Sequence, residues 1–300
     1  MFELRGILTE QAERNEGSKR HYFRIFTAAT VLTMLVGALF FRLSGRADDT
    51  SFYGALVMIG SWTLALTAAS FLVPKGRGGM LTPFDKKITK GCFGTLGKKM
   101  CFLNAYYDIF RSEDYSSALE ELSDLKERGL SPAEAGVAEL YTAICYRRMG
   151  YSTNAAISAR NAAQAQTGMP DTALLAARCY ADGGLYREAE DYYTQLMDTA
   201  EKDKIFPYVF AEAGDVYLRD GKGAAAAECY SRSISNGVSL GASTGGMVLA
   251  KILEKDIPGA RDWYTAAMLT GVDDQDGFTK RLEQICSAAG ISTGDITGQS

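Results

Sequence analysis

The 300-residue sequence holds a single histidine, His21, and no C-x-x-C pair. With one imidazole, Ser-His-Asp and Cys-His catalytic sets are excluded by composition alone. The cysteines (Cys92, Cys101, Cys145, Cys179, Cys229 and Cys286) are scattered. A zinc site needs ligands at short spacing, so these thiols read as structural and as suited to a reducing compartment. There is no G-x-x-x-x-G-K-[ST] loop; the glycines from Gly76 to Met80 follow an apolar run, not a strand. Acidic pairs such as Glu120/Glu121 and Asp273/Asp274 suit solvated helix faces and turns. No catalytic, cofactor or metal residues are expected, and the chain reads as a non-enzyme. Prolines number only 6, and with Ala-rich stretches through the C-terminal two thirds this favours helix over strand.

Charge is unevenly placed. The net of −4 divides into +7 over residues 1–99 and −11 over residues 100–300. The acidic larger part would repel phosphates, which argues against a nucleic-acid partner. The basic part contains two uncharged runs, Ile25 to Phe41 and Thr50 to Pro74, of 17 and 25 residues. Such runs read as transmembrane helices. The first is short, but Arg24 and Arg42 can snorkel at its ends. A cleaved leader is not expected, because 24 residues precede the first run and a second follows. The short link from Arg42 to Thr50 implies an antiparallel hairpin. Small residues at i+4 spacing (Ala29, Thr33, Gly37; Ser61, Ala65, Ala69) would let its helices approach closely.

Basic residues flank both outer ends: Arg5, Arg14, Lys19, Arg20 and Arg24 before, Lys75, Arg77, Lys86, Lys87, Lys90, Lys98 and Lys99 after. The positive-inside rule then places both termini in the cytoplasm. The expected organisation is a cytoplasmic segment over 1–22, a membrane hairpin over 23–74, a basic Gly-rich linker over 75–99 and a helical domain over 100–289. A flexible Gly/Thr/Ser-rich tail over 290–300 ends it. The linker could lie near anionic lipid.

From Met100 onward, an alanine followed four residues later by a bulky side chain recurs: Ala118/Leu122, Ala189/Tyr193, Ala226/Tyr230 and Ala260/Tyr264. Ala155 is in register, with Ala159 in the bulky place. The anchors step by 37, 34, 37 and 34 residues. Upstream, Phe210, Ala213, Gly214 and Tyr217 are followed by Gly221; Tyr180 with Gly184, and Tyr146 with Gly150, repeat the end of that pattern. A small residue lets paired helices close up, an aromatic fills the gap between pairs, and glycine permits the turn. The first unit has Glu113 and Asp114 at the turn, and the last has Lys251 and Lys255 in place of Tyr and Gly. Ser131-Pro132-Ala133-Glu134 forms a capping box with proline at the first helical position. A helix from about Gly277 to Ala289, with Phe278, Leu282 and Ile285, would cover the last apolar edge.

On these residues, roughly 100–270 resembles the tetratricopeptide repeat family, whose period is about 34 residues. Taken with the two uncharged runs, the resemblance implies an all-α chain: two membrane helices, then a solenoid of about five helix-turn-helix repeats and a capping helix. Shorter helix-pair repeat families would give the same architecture. In this family the first helix of each repeat lines a concave groove. Carried onto this sequence, that groove holds Tyr107, Arg111, Arg147, Arg148, Leu174, Arg178, Asp182, Tyr208, Asp215 and Arg219. Arginines beside tyrosines suit an acidic or C-terminal peptide of another protein. The family's carboxylate clamp needs Asn where this chain has Ile144, Arg178 and Asp215, which speaks against that ligand. The resemblance together with the expected hairpin anchor implies a membrane-anchored, non-catalytic scaffold or adaptor on the cytoplasmic face. The alternative is a subunit of a secretion, transport or envelope assembly whose spans pack against partner helices.

Overall fold

A computed structural model describes residues 91–298, apart from positions 167, 204 and 205, together with positions 60 and 89. The expected segments 1–22 and, apart from position 60, 23–74 lie outside the described residues, as does most of the linker. Among the described residues no helix is long and apolar enough to cross a membrane.

Every regular element described is helical. In order these are α1 (Leu96–Tyr107), a π-helical segment (Asp108–Ser112), α2 (Tyr115–Glu127), α3 (Pro132–Arg148), α4 (Ser152–Ala165), α5 (Pro170–Asp182) and α6 (Tyr186–Asp203). They continue with α7 (Val209–Arg219), α8 (Gly223–Ser235), α9 (Leu240–Leu253), α10 (Ile257–Thr270), α11 (Gln275–Ala289) and the short α12 (Thr293–Thr297). The chain divides into two compact units, one ending at Cys145 and one starting at Tyr146, so α3 spans the boundary.

The first unit is built on aromatic rings. Phe102 sits 4.8 Å from Phe93 and 5.3 Å from Tyr141, centroid to centroid, and Tyr106 lies 4.7 Å from Phe110. Tilted and edge-on pairs of this kind add about 1 kcal/mol each to the burial of the rings. The capping box at the start of α3 forms as the sequence implies: Ser131 N–H donates to Glu134 Oε2 at 2.9 Å, and Glu134 N–H to Ser131 Oγ at 3.3 Å. Glu134 does more than cap its helix. Its carboxylate also accepts Gly94 N–H and Lys98 Nζ, both at 3.0 Å, and Lys98 donates to the Gly129 carbonyl at 2.9 Å. This corrects the linker. Cys92 and Phe93 are fully buried, so the packed helical part includes residues well before Met100. Lys98, with a side chain 13% exposed, is committed to Glu134 and is not a lipid-facing charge.

In the second unit the periodic alanines sit where the sequence implies. Ala155, Ala189, Ala226 and Ala260 are all fully buried, as Ala118 is in the first unit. A methyl group there lets α5 lie against α6, α7 against α8 and α9 against α10. The bulky residues four positions on fill the junctions. Tyr193 and Tyr230 are 2% and 1% exposed. The Tyr230 ring is wedged between helices: a Cβ added at Gly214 would fall 2.7 Å from it, and one at Gly246 would overlap it. Glycine on α7 and α9 is therefore what admits a ring from α8. Burying such a ring contributes on the order of 2–3 kcal/mol.

The turns between paired helices share one geometry. Gly150, Gly184 and Gly221 have φ of 79°, 72° and 74°, and Lys255 follows at 59°. At each, the next amide closes the helix end by donating to a carbonyl five residues back, at 2.9 Å: Tyr151 to Tyr146, Leu185 to Tyr180, Lys222 to Tyr217 and Asp256 to Lys251. In the first unit Glu113, at φ 54°, does the same job at the end of the π segment. There the closing bond runs from Asp114 N–H to the Asp108 carbonyl at 3.0 Å.

The C-terminus departs from expectation. Helix α11 caps the array as anticipated, with Phe278 and Leu282 buried against α9 and α10. The segment after Gly290, expected to be flexible, folds instead into α12. Ser292 caps it through Gly294 N–H, Ile296 is fully buried, and Arg261 donates Nε and Nη2 to the Asp295 carbonyl at 3.0 and 2.7 Å. One isoleucine at the right place outweighs a Gly/Thr/Ser composition.

Candidate interaction face

In the second unit, the first helices of successive pairs present a connected row of charged side chains. Arg147, at the end of α3, donates Nε to Asp182 Oδ2 at 2.6 Å. Arg178 on α5 grips Glu212 on α7 with both arms, Nε to Oε2 at 3.0 Å and Nη2 to Oε1 at 2.6 Å. The same guanidinium lies 5.8 Å from the Tyr208 ring centroid, a cation–π contact. Glu212 also accepts the Tyr193 hydroxyl at 3.0 Å. Asp215 accepts the Tyr230 hydroxyl at 2.7 Å and pairs with Arg281 Nη1 of α11 at 3.6 Å. Burial, and then the facing carboxylate, push both tyrosine hydroxyls well above their ordinary range. They stay protonated and act as fixed donors.

The ion pairs differ in weight. Arg147–Asp182 and Asp215–Arg281 are a third or more exposed on both sides, and pairs of that kind are worth about 0–1 kcal/mol. Arg178 and Glu212 are 17% and 29% exposed, and their fork geometry makes theirs the strongest rung.

The ten expected groove residues do not all reach this face. Arg147, Arg178, Asp182, Tyr208 and Asp215 come together as described. Arg148 and Arg219 are exposed, with no ion pair shown among the described residues. Leu174 is a correction: it is fully buried in the core with Ala177, Ala189 and Tyr193, because its side of α5 faces α6 and α7. Tyr107 and Arg111 belong to the first unit, half-buried at the end of α1 and exposed in the π segment. Glu212 and Arg281 were not singled out from sequence, and Tyr193 was read there only as a packing residue. The signal was available for the first: Glu212 lies 34 residues after Arg178, and Asp182 lies 35 after Arg147. Opposite charges one repeat apart on first helices meet.

Burial pushes the thiols of Cys145, Cys179 and Cys229 up to about 12, so they are protonated and poor nucleophiles. A cleft of about 360 Å³ between α4, α5 and α6 is lined by neutral side chains, including Gln164, Met169, Tyr192, Gln195 and Thr199. Its Tyr192 hydroxyl is shifted upward by burial, which leaves no acid or base there near pH 7. Among the described residues no three His, Cys, Asp or Glu gather as a metal site.

No protein family model matches the chain, and no curated protein does. Among solved structures the chain is similar to a tetratricopeptide repeat protein from Parabacteroides merdae. The identity is 15% and the TM-score 0.54, over 68% of this chain and 74% of that one. At that identity the likeness concerns fold: the helical part of this chain is an array of tetratricopeptide-type helix pairs.

Proposed function

We propose that this chain is a non-catalytic scaffold or adaptor that holds an extended segment of another protein against the first-helix face of its repeats. The observation that carries the reading is the row of partly exposed Arg, Asp and Tyr side chains on successive first helices, from Arg147 to Arg219. Folds of stacked helix pairs offer long surfaces for such contacts. Arg148 and Arg219, exposed and outside these ion pairs, are the cations that a carboxylate of the partner segment can meet first. The test is capture of partners from native membranes with a fragment spanning residues 89–300. Charge reversal at Arg147, Arg148 and Arg178 is expected to abolish capture of the specific partner. Undiminished capture would remove this face from consideration.

The uncharged runs at Ile25–Phe41 and Thr50–Pro74 support a second part of the proposal, a two-span anchor with both termini in the cytoplasm. External protease on intact cells is then expected to spare residues 91–298, and cleavage there would refute the topology. The small residues in both runs favour the alternative role, a subunit whose spans pack against other membrane helices. Replacing the runs with an unrelated anchor separates the two: a scaffold keeps its function and a subunit loses it.

A further inference from the structure

The three ion pairs of the face described above balance one another, and these rungs are already closed. Arg147 is matched by Asp182, Arg178 by Glu212, and Arg281 by Asp215. An acidic segment arriving there meets guanidiniums that hold a carboxylate at 2.6 Å. To use Arg178 it must displace Glu212, which then faces the newcomer with its own charge and keeps only the Tyr193 hydroxyl. Like charges brought together in this way are penalised, and a half-emptied, partly buried pair is worse than an intact one. A basic segment meets the mirror-image problem at Asp182 and Asp215.

We infer that the segment this face selects carries both signs of charge, acids and bases alternating at short intervals, with a net charge near zero. Such a segment exchanges each internal rung for two external ones. Its carboxylate takes Arg147 or Arg178 while its Lys or Arg takes the released Asp182 or Glu212, and no ion is left unmatched. Segments of one sign are rejected by the same arrangement, so the rungs act as a selectivity device. The Tyr208 ring beside Arg178 adds a platform for an incoming guanidinium. This deepens the scaffold reading and rests on it, since it names the partner chemistry of the same face.

The experiment is selection of a random peptide display library on the full chain, with parallel selection on Arg178→Glu and on the exchanged pair Arg178→Glu/Glu212→Arg. The exchanged pair keeps the rung and so guards against simple misfolding. Expected are enriched sequences that contain both acids and bases, have near-zero net charge, lose at least tenfold enrichment on Arg178→Glu, and recover on the exchanged pair. Net-acidic sequences that are lost on Arg178→Glu would overturn the mixed-charge inference while sparing the face. Enrichment indifferent to Arg178→Glu, or no enrichment at all, would overturn both.

Discussion

The inner repeats and the outer ones make the same turn from opposite resources. Inside the array, Gly150, Gly184 and Gly221 take the left-handed conformation at no steric cost. The residues that follow, Tyr151, Leu185 and Lys222, do nothing for the next helix through their side chains; Tyr151 and Lys222 make no side-chain cap and Leu185 has no acceptor to offer. At the ends of the array, Glu113 and Lys255 take the same conformation with a Cβ, a strain of roughly 1–2 kcal/mol. Each is followed by an aspartate that caps: Asp114 accepts Ser117 N–H at 3.1 Å, and Asp256 accepts Gly259 N–H at 3.0 Å. A cap of this kind offsets about 1 kcal/mol. The turn is therefore held by what lies on either side of it, the buried alanine of the second helix and the closing amide of the first. Glycine and cap are interchangeable ways of tuning it.

The largest test falls where an inner pair meets the outer one. Gly246→Ala puts a methyl group into the Tyr230 ring. Helix propensity alone would make this change stabilising by about 1 kcal/mol. Overpacking opposes it by about 3 kcal/mol, so the net expected loss in a urea melt is about 2 kcal/mol or more. Combining it with Tyr230→Leu should restore part of the loss, because the two changes share one space. A neutral Gly246→Ala would mean that glycine is not what admits the ring.

The first outer repeat has a second support that the inner ones lack, and it carries a pH signature. Burial pushes the Glu134 carboxyl up, but the Ser131 and Gly94 amides and Lys98 outweigh this and hold it below the ordinary glutamate range. Its contribution is thus complete above the unfolded chain's glutamate value and drains away as pH falls through the lower folded one. Glu134→Gln should cost about 2 kcal/mol at pH 7, from hydrogen bonds to a charged acceptor. The gap from the parent chain should close as the pH falls through the lowered range in which the folded carboxylate takes up its proton. A gap unchanged across that range would show that shape, not charge, matters at this site.

Legibility in the sequence followed periodicity. The five alanine anchors, the turn positions and the α3 capping box were all readable, because each is a local rule repeated or a motif complete within four residues. The packing of Cys92 and Phe93 was not, since a Gly- and Lys-rich composition conceals that Phe93 finds Phe102 and that Lys98 finds Glu134. Helix α12 was hidden for the same reason. On the candidate face, family positions pointed to the first helices but could not tell an exposed side from a buried one, and Leu174 is buried. Nor could they show that Arg178 was already occupied, because Glu212 is one full repeat away. Long-range pairing is what composition and local pattern do not encode.

Exchanging the turn residues isolates the smaller terms. Glu113→Gly and Lys255→Gly are expected to stabilise by about 1 kcal/mol each, and Gly150→Ala and Gly184→Ala to destabilise by a similar amount. Thermal melts of the four single variants should then show opposite signs at outer and inner turns. Identical signs would mean that the turn's φ is not the deciding quantity.

The caps should show the complementary pattern at still smaller scale. Asp114→Ala and Asp256→Ala each remove one accepted amide and should cost about 1 kcal/mol, whereas Tyr151→Asp supplies an acceptor that α4 lacks and should gain about 0.5 kcal/mol. Tyr151 is 55% exposed, so little packing is lost in the exchange. Its ring does lie 6.4 Å from Tyr146, and that contact opposes part of the gain. Tyr146→Leu as the background removes the opposing contact and should raise the gain toward the full value of a cap. If Tyr151→Asp fails to stabilise even there, the inner turns do not leave their caps empty for want of an acceptor. The exposed aromatic would then be held in place for what it meets outside the fold, and Tyr151 would join the residues to test for partner contact.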